Sequence, residues 1–155
     1  MDTVQQPVDS TIETLLHIKR VNELLTQACK ILLDRGLVHD ASKLLTPEKE
    51  LFDLLTPKLK EVEYDSPEYK TFLEALAPAL DHHYAKNAHH PEHYEDGVTG
   101  MNLFDVIEMF FDWKASSERQ NNGNIMKSIA KQQKKYELSD QLTSIFKNTS
   151  KYLGW

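Results

Sequence analysis

Apolar side chains recur at intervals of three and four along most of the chain, the repeat of an α-helix that buries one stripe. No stretch of useful length alternates with the two-residue period of a strand, and no internal repeat is visible. Residues that satisfy or break helix ends set the boundaries. Ser10 and Glu13 have the S-x-x-E spacing of a capping box, and the periodicity that follows through Leu33 predicts a helix over about 10–34. Arg35-Gly36 should close it, because glycine tolerates left-handed backbone. Thr46-Pro47 and Ser66-Pro67 each place a capping hydroxyl before a proline at the first helical position, which predicts helices over about 47–62 and 67–87. The stretch 88–101 contains Pro91, Gly97 and Gly100 and reads as an ordered loop. Asn102, with Asp105 three positions on, caps a strongly apolar helix, and two more helices fit about 122–135 and 139–153. The expectation is one all-α domain over 1–155, a compact bundle of about five to seven helices, with its core at about 10–120.

Composition narrows the class. With 155 residues, 40% hydrophobic and 27% charged, the chain is too apolar for a disordered protein. Its 5 glycines and 6 prolines are too few for a sandwich of many short strands. No apolar run approaches the ~20 residues of a membrane helix, and MDTVQQPVDS lacks the basic start and apolar stretch of a signal peptide, so a soluble, cytoplasmic protein without a membrane partner is expected. The single cysteine, Cys29, cannot form an internal disulfide or supply a thiolate zinc site, so any metal must be held by nitrogen and oxygen. The net charge of -6 argues against a protein that coats duplex nucleic acid. That charge is segregated: residues 1–113 hold 10 basic and 21 acidic side chains, residues 114–155 hold 8 basic and 3 acidic. An acidic body therefore carries basic C-terminal helices over 121–155. All seven histidines lie between positions 17 and 93, five of them between His82 and His93.

Four groups could carry chemistry. His17 shares a helical stripe with Val21, Leu24, Ala28 and Ile31, so its imidazole is expected to point inward, as a packing residue or a ligand. His39-Asp40, in HDASK, could offer a nitrogen and an oxygen to one metal if the backbone turns between them. In DHHYAKNAHHPEHYEDG, residues 81–97, spacing from Leu73, Leu76 and Leu80 puts His83 and Asn87 on the apolar stripe and His82 on the neighbouring row. His89 and His90 precede Pro91, which favours extended backbone that could aim His90 back at the same cavity, whereas His93 fits a solvated loop. Asp105, Glu108 and Asp112 share one face of an apolar helix at i, i+3 and i+7. Buried carboxylates so close together need cations or donors, unless that face is solvated and Asp105 merely completes the cap.

The ordered set H…HD…D in a small helical chain resembles the HD superfamily of metal-dependent phosphohydrolases. HDASK resembles its HD-x-x-K motif, HHPEHYEDGVTG resembles a histidine-glycine stretch of its cyclic-dinucleotide phosphodiesterase branch, and FFDWKAS resembles the ligand-bearing helix that follows. HHPEH together with EMFFDW is also similar to a family of short bacterial and phage proteins of unknown function. The likeness spans about residues 12–120. It implies His17, His39, Asp40 and Asp112 as ligands of one metal and His83, His89 and His90 as ligands of a second. It also implies Lys43 as a phosphate contact or proton donor. Gly100-Met101-Asn102 replaces the glycine-tyrosine-proline of the phosphodiesterase branch.

One or two divalent ions, Mn, Fe, Co, Ni or Zn with Mg also compatible, suit nitrogen and carboxylate donors. Such an ion would activate water and polarise a phosphoryl oxygen, and Glu92, Glu108 or Asp105 could serve as general base. Lys127, Lys131 and Lys134 or Lys135 repeat along one helical face and could grip phosphate or simply be solvated. Three functions follow. The first is a phosphohydrolase acting on a nucleotide or other small phosphate ester. The second is a two-iron oxygenase of the same superfamily, and the third is a non-catalytic, metal-stabilised interaction protein.

Overall fold

Only helices and turns occur among the residues that the computed structural model describes, 9–62, 66–119 and 123–155. The helices are α1 (Thr11–Val38), α2 (Glu48–Glu61), α3 (Pro67–Lys86), α4 (Leu103–Glu118), α5 (Ile125–Lys135) and α6 (Asp140–Tyr152). Short 3-10 turns span Ala41–Leu44, Pro91–His93 and Gly97–Gly100. The fold is all-α, and no described helix is long and apolar enough to cross a membrane. The chain divides into two units, one ending at Leu37 and the other Val38–Trp155.

The first unit is α1, whose side chains include none that is buried. Its opening N–H groups are met by Asp9, whose Oδ1 accepts from Thr11 N at 3.0 Å. The expected stop at Gly36 does not occur, and the helix runs on to Val38. Glycine permits left-handed backbone without requiring it, and one internal glycine costs a helix only about 1 kcal/mol. Asp40 makes the turn instead, at φ 57° and ψ 12°, a conformation that aspartate's short polar side chain tolerates. His17 lies on the stripe of α1 that also carries Val21, Leu24 and Ile31.

In the second unit, α2 packs on α3 through Leu55, Leu76 and Ala79, with Leu51, Phe52, Leu59, Phe72 and Leu80 around them. Ser66 caps α3 as expected, its Oγ accepting from Tyr69 N at 3.1 Å with Pro67 in the first turn. The matching expectation at α2 is not met. Pro47 occupies the cap position, and the Thr46 hydroxyl donates to the Glu50 carboxylate, leaving Glu48 at the start of the helix facing inward.

A second core joins α4, α5 and α6. Met109, Phe110 and Trp113 meet Ile125, Ile129, Leu138 and Phe146, with the Phe110 and Phe146 rings stacked 4.9 Å apart. Burying each such side chain contributes roughly 1.5–3 kcal/mol, so α4 is fixed in rotation by its apolar face and its acids emerge on the other side. Its start is set by the predicted capping box: Asn102 Oδ1 accepts from Phe104 N and Asp105 N, while Asp105 Oδ2 accepts from Asn102 N at 2.9 Å. The preceding loop is tied to the same point, because Tyr94 OH donates to Asp105 Oδ2 at 2.7 Å. Gly100 packs against Tyr94 so closely that an added Cβ would stand 2.9 Å from Tyr94 Cβ, and only glycine fits.

Candidate metal centre

Three segments of the second unit converge: the turn after α1 with His39 and Asp40, the end of α3 with His83 and the following loop with His89 and His90, and α4 with Glu108 and Asp112. His83 and His89 are 1% and 2% exposed. Extended backbone at His90, before Pro91, turns its ring toward His83, as the proline predicts. Asp40 lies at the middle. Its Oδ1 is 3.2 Å from His83 Nε2 and 3.4 Å from His89 Nε2, and His83 Nε2 is 3.0 Å from His90 Nε2. Its Oδ2 faces the other way, 3.7 Å from His39 Nε2, which is 3.6 Å from Asp112 Oδ1.

These separations suit ligands of an ion. Two donors at about 2.1 Å from a metal stand about 3.0 Å apart at a right angle and about 3.4 Å apart at a tetrahedral one. Asp40 Oδ1 and His89 Nε2 are buried and have no hydrogen-bond partner among the described residues. Buried polar atoms seldom stay unpaired, and a cation between two facing orphans would satisfy both. The donor set fits a divalent metal.

The far nitrogens are held by carboxylates. Glu108 Oε1 accepts from His39 Nδ1 at 2.8 Å and stands 3.1 Å from His89 Nδ1. Glu48, fully buried at the start of α2, accepts from His83 Nδ1 at 2.9 Å, His82 Nδ1 at 2.7 Å and Ser42 Oγ at 3.0 Å. Asn87 Nδ2 donates to Ser42 Oγ and to the His83 carbonyl, both at 2.8 Å. With N–H at Nδ1, His39, His83 and His89 present an Nε2 lone pair to the centre. Glu48 and Ser42 are not among the residues that the sequence singles out.

Lys43 lies at the edge of the cluster, donating to Asp40 Oδ2 at 2.6 Å. Other sequence candidates are engaged elsewhere. Asp105 is fully buried in the α4 cap, Glu108 serves two imidazoles, and Glu92 accepts from Lys135 Nζ at 2.8 Å and Tyr136 OH at 2.9 Å. To act as general bases they would first have to give up these donors. His17 lies on α1, in the first unit; His93, in the second, is exposed, 2.7 Å from the Tyr84 carbonyl. A cavity of about 430 Å³ shares His90 and Asp112 with the cluster and is walled by Tyr84, Trp113, Ser116 and one face of α5 that carries Lys127, Lys131 and Lys135.

A model of a family of unknown function, DUF5662, matches residues 7–152. The chain belongs to this family. No curated protein and no solved structure matches the chain.

Charges in the cluster are strongly coupled. The Asp112 carboxylate, with that of Glu108, raises His39 to about 10. Burial pushes the Asp40 carboxyl up, but the close approach of His83, His89 and the Lys43 ammonium outweighs it and holds it well below the usual carboxylate range. Burial, with the charges of His89 and His83, lowers His90 to about 4. At neutral pH the metal-free centre therefore holds a proton on His39. Its stabilising effect is fully present below the ordinary value of 6.5 and is lost as pH rises toward about 10. A metal must displace that proton. Titration with zinc at pH 7 in buffers of different ionisation enthalpy is expected to reveal release of about one proton or more, with affinity climbing as pH rises. Binding without proton release would contradict this arrangement.

Proposed function

We propose that the chain is a metal-dependent phosphohydrolase of the HD type acting on a nucleotide or another small phosphate ester. The observation that supports it is the division of Asp40, one oxygen toward His83 and His89 and the other toward His39. In this reading Asp40, His39 and Asp112 would hold one ion, and Asp40 with His83, His89 and His90 would hold a second. A divalent ion of the manganese-to-zinc series supplies a water that ionises near neutral pH and a Lewis acid for a phosphoryl oxygen. Glu108 and Glu48 keep the imidazoles in one tautomer and one orientation. Lys43 balances part of the negative charge on Asp40 and puts an ammonium where an incoming phosphate would meet it.

A two-iron oxygenase is the second reading, favoured by three imidazoles gathered on one carboxylate oxygen. The two part on one assay. Untagged protein loaded with manganese, cobalt or zinc is expected to release phosphate from a panel of nucleotides and small esters, and His39→Ala to lower the rate roughly a hundredfold or more. No phosphate from any member, with an iron-type visible spectrum that bleaches on reduction, would overturn the hydrolase in favour of the oxygenase.

A further inference from the structure

We propose that the cavity beside the metal centre is a subsite for the phosphates beyond the reacting one, so that the substrates are nucleoside di- or triphosphates rather than monophosphates. The inference rests on the phosphohydrolase reading for the chemistry, but its binding geometry stands apart from it.

His90 and Asp112 belong both to the donor cluster and to the cavity wall, so a ligand with one end at the centre extends into this space. Lys127, Lys131 and Lys135 repeat at i, i+4 and i+8 on the face of α5 that lines it, a row about 12 Å long at the helical rise per residue. The three cations are not equivalent. Lys135 is paired with Glu92 at 2.8 Å, whereas Lys127 makes no ion pair among the described residues. A solvated lysine row needs no cavity beneath it. Here the row faces one whose far end is a cluster of metal-ligand type, in a stretch that is net positive within a net negative chain.

The same wall offers a second, different request. Gln132 Oε1 is buried, lines the cavity and has no hydrogen-bond partner among the described residues. It is an acceptor, and phosphate supplies no donor at neutral pH. A base N–H or a sugar hydroxyl does. Trp113 and Tyr136, stacked on each other and both lining the cavity, provide a flat apolar border for a planar base. About 430 Å³ falls in the usual size range of small-ligand pockets. Cations in a row together with one unmet acceptor and aromatic walls describe a nucleotide with more than one phosphate.

The step balances as a hydrolysis. A water oxygen forms a bond to the phosphorus at the centre while the bond from that phosphorus to the bridging oxygen breaks. The leaving phosphate keeps the electron pair, the water's proton passes to it or to solvent, and nothing is oxidised or reduced.

The test is equilibrium binding to metal-loaded protein of three probes: a non-hydrolysable methylene analogue of adenosine triphosphate, adenosine monophosphate, and inorganic tripolyphosphate. In the Lys127→Ala/Lys131→Ala variant, the triphosphate analogue and tripolyphosphate are expected to weaken about tenfold or more and adenosine monophosphate less than about twofold, with metal content unchanged. Gln132→Leu is expected to weaken both nucleotides and leave tripolyphosphate alone. Equal weakening of the triphosphate analogue and adenosine monophosphate, no weakening, or no binding of any probe to the wild type would overturn the subsite. If the binding pattern holds but wild type releases no phosphate, the hydrolase reading fails and the subsite survives. If phosphate is released but the lysine variant is indistinguishable, the reverse is true.

Discussion

Asparagine at position 40 is expected to empty both metal positions at once. Asp40 turns Oδ1 to His83 and His89 and Oδ2 to His39, so one carboxylate is common to both donor sets. Its replacement by the neutral amide keeps the size and the backbone preference of the residue but removes the negative charge that two cations would share. Elemental mass spectrometry on untagged protein should fall from about two equivalents of transition metal to near none, and hydrolysis by roughly a thousandfold. Asp112→Asn is the control, because Asp112 belongs to one set alone, with His39 and Asp40. It should cost one equivalent and leave the other. Two metals retained in Asp40→Asn, or both lost in Asp112→Asn, would contradict a bridging Asp40.

Glu48 is the position where the largest loss of stability is expected. Its carboxylate is buried and accepts from His82, His83 and Ser42 at once. Glu48→Ala leaves those donors around a hole, and breaking a buried charged network of this kind typically costs about 3–5 kcal/mol. Glu48→Gln keeps the volume and one acceptor and should lose about 1–2 kcal/mol. Urea unfolding of metal-free protein measures both. Burial pushes the Glu48 carboxyl up, but hydrogen bonds from His82, Ser42 and His83 outweigh it and hold it below its ordinary value. Its contribution is therefore present above that value and fades as pH falls through the native one, so the gap between wild type and Glu48→Gln should narrow in acid. Wild-type stability in Glu48→Ala would show that the network is not what holds α2, α3 and the turn between α1 and α2 together.

Most of the helices were legible because their ends are marked chemically. Ser66-Pro67 and Asn102 with Asp105 satisfy orphan N–H groups in ways few other patterns do, and α3 and α4 begin where those residues say. Gly36 misled because glycine allows a turn without enforcing it, and the left-handed residue is Asp40. Within the cluster, His83 and Asn87 were legible from their shared stripe, and Asp112 from the acidic row. Glu48 and Ser42 were not. Both act across the fold, on residues 34 or more positions away, and nothing local distinguishes them from a helix-start acid and a turn serine.

Position 40 is chosen twice. The left-handed backbone there admits glycine, asparagine and aspartate far more readily than any residue with a branched or bulky side chain. A charged oxygen donor of short reach admits aspartate and, with a longer arm, glutamate. The two short lists overlap in a single amino acid. On the proposed function, position 40 is held to one residue from both sides, by the shape of the main chain as much as by the metal chemistry it would carry.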